Sequence, residues 1–263
     1  MDTFKTGFIG CGNMAAAIIN GILNKNILPA ADIYVYDIDS KKAEQFGGVN
    51  VCTSIGELAE QAQILFLCVK PNVIENAAAE IKSKNKAVIS IAAGVKTARL
   101  AFVLPENTRI MRIMPNTPLM VGKGASCVQA PNGLTLPERT FVYRIFSALG
   151  LLEEVEEQQM DAVTGVSGSG PAYVYLFVDA VAAAGEANGL DRETALRLAV
   201  QTFEGACAML RTTGKPPEQL IQEVCSPGGT TVEAMKVFEA KDVRGIVREA
   251  VDACVERSRE LSE

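Results

Sequence analysis

The chain contains neither histidine nor tryptophan among its 263 residues. Without histidine there is no Ser-His-Asp triad, no Cys-His pair, no His-Glu-x-x-His zinc site and no histidine-ligated haem. Acid–base chemistry then falls to carboxylates, lysine, tyrosine, cysteine, hydroxyls or the substrate itself. Positive charge is not in excess either: 25 Lys and Arg stand against 31 Asp and Glu, a net charge of −6. That balance argues against a nucleic-acid partner. The cysteines (Cys11, Cys52, Cys68, Cys127, Cys207, Cys225 and Cys254) are odd in number, and no two form a Cys-x-x-Cys. They read as small apolar residues of a reducing cytosol, and neither a disulfide framework nor a bound metal is expected. A membrane span is also missing. Residues 7–23 carry no charge, but Gly10, Gly12, Asn13 and Asn20 interrupt them and Asp2 precedes them, unlike a signal sequence. A soluble, cytoplasmic protein is expected. With 48% hydrophobic and 21% charged residues the chain is not disordered, and its length suits one large domain or two ordinary ones.

What is present changes character along the chain. In the first part, short β-branched runs alternate with helical stretches. Strands are expected at Thr6–Ile9, Ile33–Tyr36, Val49–Val51 (weak), Ile64–Val69, Ala87–Ile91, Arg109–Met114 and Ser126–Gln129. Helices are expected at Met14–Leu23 and from Lys41. Such alternation predicts a mainly parallel sheet covered by helices. After about residue 155, alanine-rich helical stretches take over: 171–188, 192–210, 217–224, 231–238 and 243–261. The stretch 171–184 has Asp179 as its one charge and reads as a helix apolar nearly all round, hence buried. It is more apolar surface than a small helical segment hides alone, so a dimerising helical domain is inferred. The division expected is residues 1–154 and residues 155–263.

Gly10-Cys11-Gly12-Asn13-Met14-Ala15 follows the first strand and opens a helix. It fits Gly-x-Gly-x-x-Gly/Ala, the dinucleotide turn of a doubly wound Rossmann domain. Gly10 allows the tight turn, Gly12 lets backbone approach a pyrophosphate, and Ala15 lets the helix pack close on the sheet. The free N–H groups at the helix start, including those of Asn13 and Met14, face the phosphates. A purely structural turn is the alternative. Asp37 ends the second strand and can accept a hydrogen bond from a ribose 2′-OH, which leans toward NADH; it can equally be a strand end or helix cap. Lys41 and Lys42 can meet a 2′-phosphate or be plain surface lysines, so NADPH and NADH both remain open. Val69-Lys70-Pro71 and Ser90-Ile91-Ala92-Ala93-Gly94 close two further strands, where an open sheet binds its ligands, and are expected along the nicotinamide half, although Lys70 taken alone reads as a surface lysine.

Two glycine-rich segments are expected to open helices in the second half: Val166-Ser167-Gly168-Ser169-Gly170-Pro171 and Ser226-Pro227-Gly228-Gly229-Thr230-Thr231. A helix start with free N–H groups and a hydroxyl can seat a carboxylate, or the Ser and Thr can simply cap. The run from Asp161 to Tyr173, Asp-Ala-Val-Thr-Gly-Val-Ser-Gly-Ser-Gly-Pro-Ala-Tyr, resembles a hallmark of the pyrroline-5-carboxylate reductases. Ser226–Thr231 resembles their second hallmark, and Val69–Pro71, Ala92–Val95 and Met114–Pro118 match further family segments in order. The resemblance covers essentially the whole chain. It implies reduction of Δ1-pyrroline-5-carboxylate to L-proline by NADPH or NADH, and a helical domain shared between at least two subunits. It implies cofactor contacts from Gly10, Gly12, Lys70, Ala92 and Ala93. It implies a substrate site of Ser226, Gly228, Gly229, Thr230 and Thr231, with Glu157 at an acidic position that contacts substrate. The N–H groups of Thr230 and Thr231 would hold the carboxylate, and the Thr231 hydroxyl, the catalytic candidate, would face the ring nitrogen. Glu223 departs from the amide expected near the cofactor. The absence of histidine suits an imine substrate, because a protonated imine is already electrophilic and needs mainly positioning. The rival readings are another imine or hydroxyacid reductase of this plan, and a dinucleotide sensor without turnover.

Overall fold

The computed structural model describes residues 3–261. Its sheet is built from β1 (Thr6–Ile9), β2 (Ile33–Tyr36), β3 (Asn50–Val51), β4 (Ile64–Leu67), β5 (Ala87–Ser90), β6 (Arg109–Met114), β7 (Gly124–Gln129) and β8 (Gly150–Val155). Helices of the same region are α1 (Asn13–Asn24), α2 (Ser40–Glu44), α3 (Ile55–Gln61), α4 (Ile74–Ala79), α5 (Thr97–Ala101), α6 (Leu136–Ala148) and α7 (Met160–Val163). Every residue of β1, β4 and β5 is buried, as central strands covered on both faces must be. Side chains alternate between two cores. Phe8 and Phe66 stack with ring centroids 4.8 Å apart and join Ile18, Ile22 and Phe146 on one face. Ile9, Leu65 and Leu67 join Leu58, Ile74 and Ala78 on the other.

The strand order is β3-β2-β1-β4-β5-β6-β7-β8. All pairings are parallel except β6 with β7. The order reverses between β1 and β4, and the register sets Ile9 level with both Tyr36 and Leu67. The carboxyl ends of β1, β2 and β4 therefore finish together at the switch point, where doubly wound sheets bind ligands. The expected mainly parallel, doubly wound sheet is what forms. β8 was not foreseen, because Glu153 and Glu154 break up its apolar signal, and Leu151, Glu153 and Glu154 are exposed. Gly150 lies so close to β7 that a Cβ would meet the Gly124 carbonyl, at φ +151°.

The second half is helical: α8 (Gly170–Ala187), α9 (Arg192–Thr213), α10 (Pro217–Val224), α11 (Thr230–Ala240) and α12 (Val243–Glu260). One expectation needs correction. The glycine-rich segment does open a helix, α8 at Gly170, but out of a preceding helical turn and not out of a free loop. Thr164–Gly168 is a wide helical turn continuing α7, and the Ser169 N–H donates to the Thr164 carbonyl at 2.9 Å. The hydroxyls of Thr164 and Ser167 donate back to the carbonyls of Met160 and Val163 at 3.0 and 3.2 Å. The Ser169 N–H and these two hydroxyls are therefore spent on helix carbonyls.

By packing, the chain forms two compact units: one through Pro171 that also takes back the residues from Ala253, and one of Ala172–Asp252. The second unit has a small core of Ala182, Ala195 and Ala199 with Val178 against it. Only Ala182 of α8 is buried in the single chain, whereas Tyr175, Leu176 and Phe177 are exposed. The helix expected to be buried thus presents its apolar surface outward. Among the described residues no helix is long and apolar enough to cross a membrane.

Candidate functional site

The glycine turn folds as its sequence demands. Gly10 has φ +93°, and its N–H donates to the Tyr36 carbonyl at 2.8 Å. A Cβ there would stand 2.9 Å from Val69 Cγ1 and 3.0 Å from the Cys68 backbone. Gly12 is the N-cap of α1, with ordinary dihedrals of φ −69° and ψ −177° and nothing within 4 Å of a Cβ position. No side chain caps α1 and its first turn holds no acidic residue. The N–H groups of Asn13 and Met14 have no place in the helix ladder, and the positive end of the helix dipole faces the gap. Backbone pressed against strands at Gly10 and open space at Gly12 is the geometry a pyrophosphate requires, so the site fits a dinucleotide.

Asp37 braces this turn. Its Oδ2 accepts from the Cys11 N–H at 2.7 Å and its Oδ1 from the Asp39 N–H at 2.9 Å. Burial, reinforced by the Asp37 charge, pushes the Cys11 thiol up to about 12, so it stays protonated and is no nucleophile. Lys42 stands 4.0 Å from Asp39. A cleft of about 310 Å³ at the switch point is lined by Gly10, Asp37 and Val69 together with Ile38, Val73 and Asn76. Three of the expected cofactor residues therefore converge there. Sequence reasoning missed the other lining residues; the available signal was Ile38, an apolar residue between two aspartates whose side chain is 96% exposed. Lys70 is exposed and caps the single turn Pro71–Val73, accepting from the Val73 N–H at 3.1 Å. Ala92 is buried and Ala93 half-buried just beyond β5.

In the second unit, Ser226–Thr231 does form an open helix start. Gly228 takes φ +70°. Gly229 sits so close to Ser226 that a Cβ would be 2.5 Å from its Oγ, and the Gly229 N–H donates to the Ser226 carbonyl at 2.9 Å. Gly229 is the N-cap of α11 and no side chain caps it. The N–H groups of Thr230 and Thr231 are in the first turn, with Thr230 exposed and Thr231 half-buried. Glu233 in the same turn pairs with Lys236 at 2.7 Å. Glu223 is engaged by Lys215 at 2.7 Å and by Gln219, and these bonds hold its carboxyl below the ordinary range.

Glu157 lies in the first unit with partners of its own. Oε1 accepts from the Thr97 N–H at 2.7 Å, Oε2 accepts from the Thr97 hydroxyl at 2.9 Å, and Arg112 Nη1 is 3.2 Å from Oε1. Arg112 and Thr97 carried no sequence signal, since an arginine in a strand and a threonine after a lysine are common.

Comparison with known proteins agrees with this geometry. A family profile described as pyrroline-5-carboxylate reductase dimerisation matches residues 157–261, and one described as NADP oxidoreductase coenzyme F420-dependent matches residues 5–94. The pyrroline-5-carboxylate reductase of Escherichia coli K12 is 42% identical over 98% of both chains. That of Arabidopsis thaliana is 40% identical over 100% of this chain and 97% of its own. The crystal structure of the Plasmodium falciparum pyrroline carboxylate reductase with NADP bound superposes with a TM-score of 0.93 at 32% identity, covering 100% of both chains. The Coxiella burnetii pyrroline-5-carboxylate reductase superposes with a TM-score of 0.89 at 36% identity, also over 100% of both. With that identity sustained from end to end, this chain belongs to the pyrroline-5-carboxylate reductase family.

Proposed function

We infer that this protein reduces Δ1-pyrroline-5-carboxylate to L-proline, the last step of proline synthesis, with NADPH or NADH as donor. The observation that carries the reading is the full-length match to reductases of that name. The glycine-opened starts of α1 and α11 give it chemical sense, one for the pyrophosphate and one for a carboxylate. Bound NAD(P)H supplies the hydride that reaches the imine carbon. The chain supplies the seats. Gly10, Gly12, Asn13 and Met14 hold the pyrophosphate, and Val69–Pro71 with Ala92 and Ala93 line the nicotinamide half. Ser226, Gly228 and Gly229 shape the start of α11, so that the N–H groups of Thr230 and Thr231 hold the substrate carboxylate. The Thr231 hydroxyl hydrogen-bonds the ring nitrogen as it becomes an amine. Positioning of this kind lowers barriers by roughly 7–11 kcal/mol in favourable cases, so no histidine is needed.

NADP is the dinucleotide bound in the Plasmodium structure, while the Asp37 carboxylate here favours a 2′-OH over a 2′-phosphate. The functional domains divide near residue 155. The apolar face of α8 is the surface that pairs two copies. Seven free thiols suit a cytoplasmic enzyme. The test is direct. Purified protein is mixed with Δ1-pyrroline-5-carboxylate, and loss of NADH or NADPH absorbance is followed with proline as product. Cofactor binding without oxidation would move the assignment to another imine or to a sensor.

A further inference from the structure

The loop between β5 and α5, residues 91–96, carries Ala92 and Ala93, and it is fastened at three points. Directly after it, Thr97 gives both its N–H and its hydroxyl to the Glu157 carboxylate, at 2.7 and 2.9 Å. The N-cap of α5, Lys96, provides no side-chain cap, so a carboxylate 60 residues away does the capping. That carboxylate is held in turn by Arg112, whose side chain is 6% exposed and whose own N–H donates to Gln129 Oε1 at 3.3 Å. At the second point Gly94, with φ +74°, lies against the end of α12: a Cβ would be 2.7 Å from the Ser258 carbonyl and 2.7 Å from Leu261 Cβ. The third point is Arg99, whose Nη1 donates to the Leu261 carbonyl at 3.3 Å. Ser258 then closes a ring by donating its hydroxyl to Asp161 Oδ1 at 2.7 Å, one helical turn beyond Glu157. A carboxylate has about four acceptor positions, and three donors already occupy those of Glu157.

We propose that Glu157 is a positioning residue: through Thr97 it fixes the backbone of the 91–96 loop against the nicotinamide half, without touching substrate. This rests on the reductase reading. The ring also joins the two stretches that bracket residues 172–252, namely 157–161 and 258–261, to that one loop.

Three variants of the full-length protein test it: Thr97→Val, Thr97→Ser and Glu157→Gln. Thr97→Val deletes one donor while keeping shape. It is expected to lower kcat about tenfold, because a small misplacement of reacting atoms is costly, and to raise the isotope effect on kcat with 4-deuterated NADPH. NADPH affinity, read by cofactor fluorescence, stays within about twofold. Thr97→Ser restores the wild-type values, and Glu157→Gln follows Thr97→Val in direction. Hydrogen exchange reads the same clamp without turnover, with amides 92–97 exchanging about tenfold faster in Thr97→Val. A lowered melting temperature with unchanged kcat, isotope effect and loop exchange would overturn the proposal. So would a raised imine KM in Glu157→Gln that Thr97→Val does not share. If the wild type itself fails to oxidise NADPH with the imine, the reductase reading fails. The exchange measurement then still decides the clamp.

Discussion

Alanine introduced at Gly10 and at Gly12 should do different damage, although both glycines belong to one short motif. At Gly10 the backbone has φ +93°, a conformation that strains an L residue by about 1–3 kcal/mol. The new methyl would stand 2.9 Å from Val69 Cγ1 and 3.0 Å from the carbonyl carbon and oxygen of Cys68. The Cys68 atoms are backbone and cannot swing aside, so overpacking adds about 1–3 kcal/mol. Relaxation of the turn sacrifices the 2.8 Å bond from Gly10 to Tyr36. The net expectation for Gly10→Ala is a loss of about 3 kcal/mol, or roughly 1.5 M in urea midpoint at a slope of about 2 kcal/mol per M. Circular dichroism follows it. At Gly12 the dihedrals are ordinary and the Cβ direction is empty. Gly12→Ala therefore leaves stability within about 0.5 kcal/mol of wild type. The methyl does occupy the space in which a phosphate would meet the α1 N–H groups. Loss of a hydrogen bond to a charged group costs about 1.5–3 kcal/mol, so the NADPH Kd rises roughly ten- to a hundredfold in a fluorescence titration. Wild-type NADPH affinity in Gly12→Ala, or a wild-type urea midpoint in Gly10→Ala, would refute the assignment of one glycine to the fold and the other to the ligand.

Thr231→Ala is expected to lower turnover while circular dichroism and NADPH affinity stay as in wild type; unchanged steady-state kinetics would remove the hydroxyl from the mechanism. Asp37→Ser removes a charge beside the ribose, worth about 1 kcal/mol at a solvated site, so the ratio of kcat/KM for NADPH to that for NADH should rise roughly fivefold, and a constant ratio would leave Asp37 as a brace of the glycine turn alone. Glu138, buried in α6, is opposed by desolvation, but bonds from Arg109 at 2.6 and 2.9 Å and from Thr135 hold its carboxyl below the ordinary range. A carboxyl lowered on folding stabilises above its unfolded pKa of about 4.3 and loses that contribution as the pH falls through its folded value. Glu138→Gln should therefore cost about 2 kcal/mol at pH 7, the scale of hydrogen bonds to a charged group, and the gap in melting temperature between variant and wild type should close between about pH 5 and pH 3; a gap independent of pH would contradict the ion pair.

The strand β1 falls on the residues its apolar run indicates, because a strand buried on both faces leaves a continuous signal; β2 and β6 also fall on the expected residues, although each is only partly buried. The dinucleotide turn was legible because its glycines are close in sequence: Gly10 answers a backbone demand at φ +93°, and Gly12 leaves the Cβ direction at the start of α1 empty. β8 and the wide turn at Thr164–Gly168 were not legible. The first is an edge strand carrying two glutamates. The second has the composition of a loop, yet its hydroxyls turn back onto helix carbonyls, a choice set by packing and not by residue type. Glu157 shows the same limit at the site. Its position gave an acidic residue; its partners, 60 and 45 residues away, are a matter of tertiary structure.

The return of Ala253–Leu261 to the first unit has a temporal meaning. On the ribosome, β1 to β8 can pair as soon as residue 155 has emerged. The β5–α5 loop, however, waits for Ser258 and Leu261 to reach Gly94 and Arg99. At ordinary synthesis rates that delay is on the order of ten seconds. Throughout it the nascent chain can have its sheet but not yet a fastened β5–α5 loop. That loop is thus the last part of the first unit to be completed, and it is completed by residues made after the whole of Ala172–Asp252.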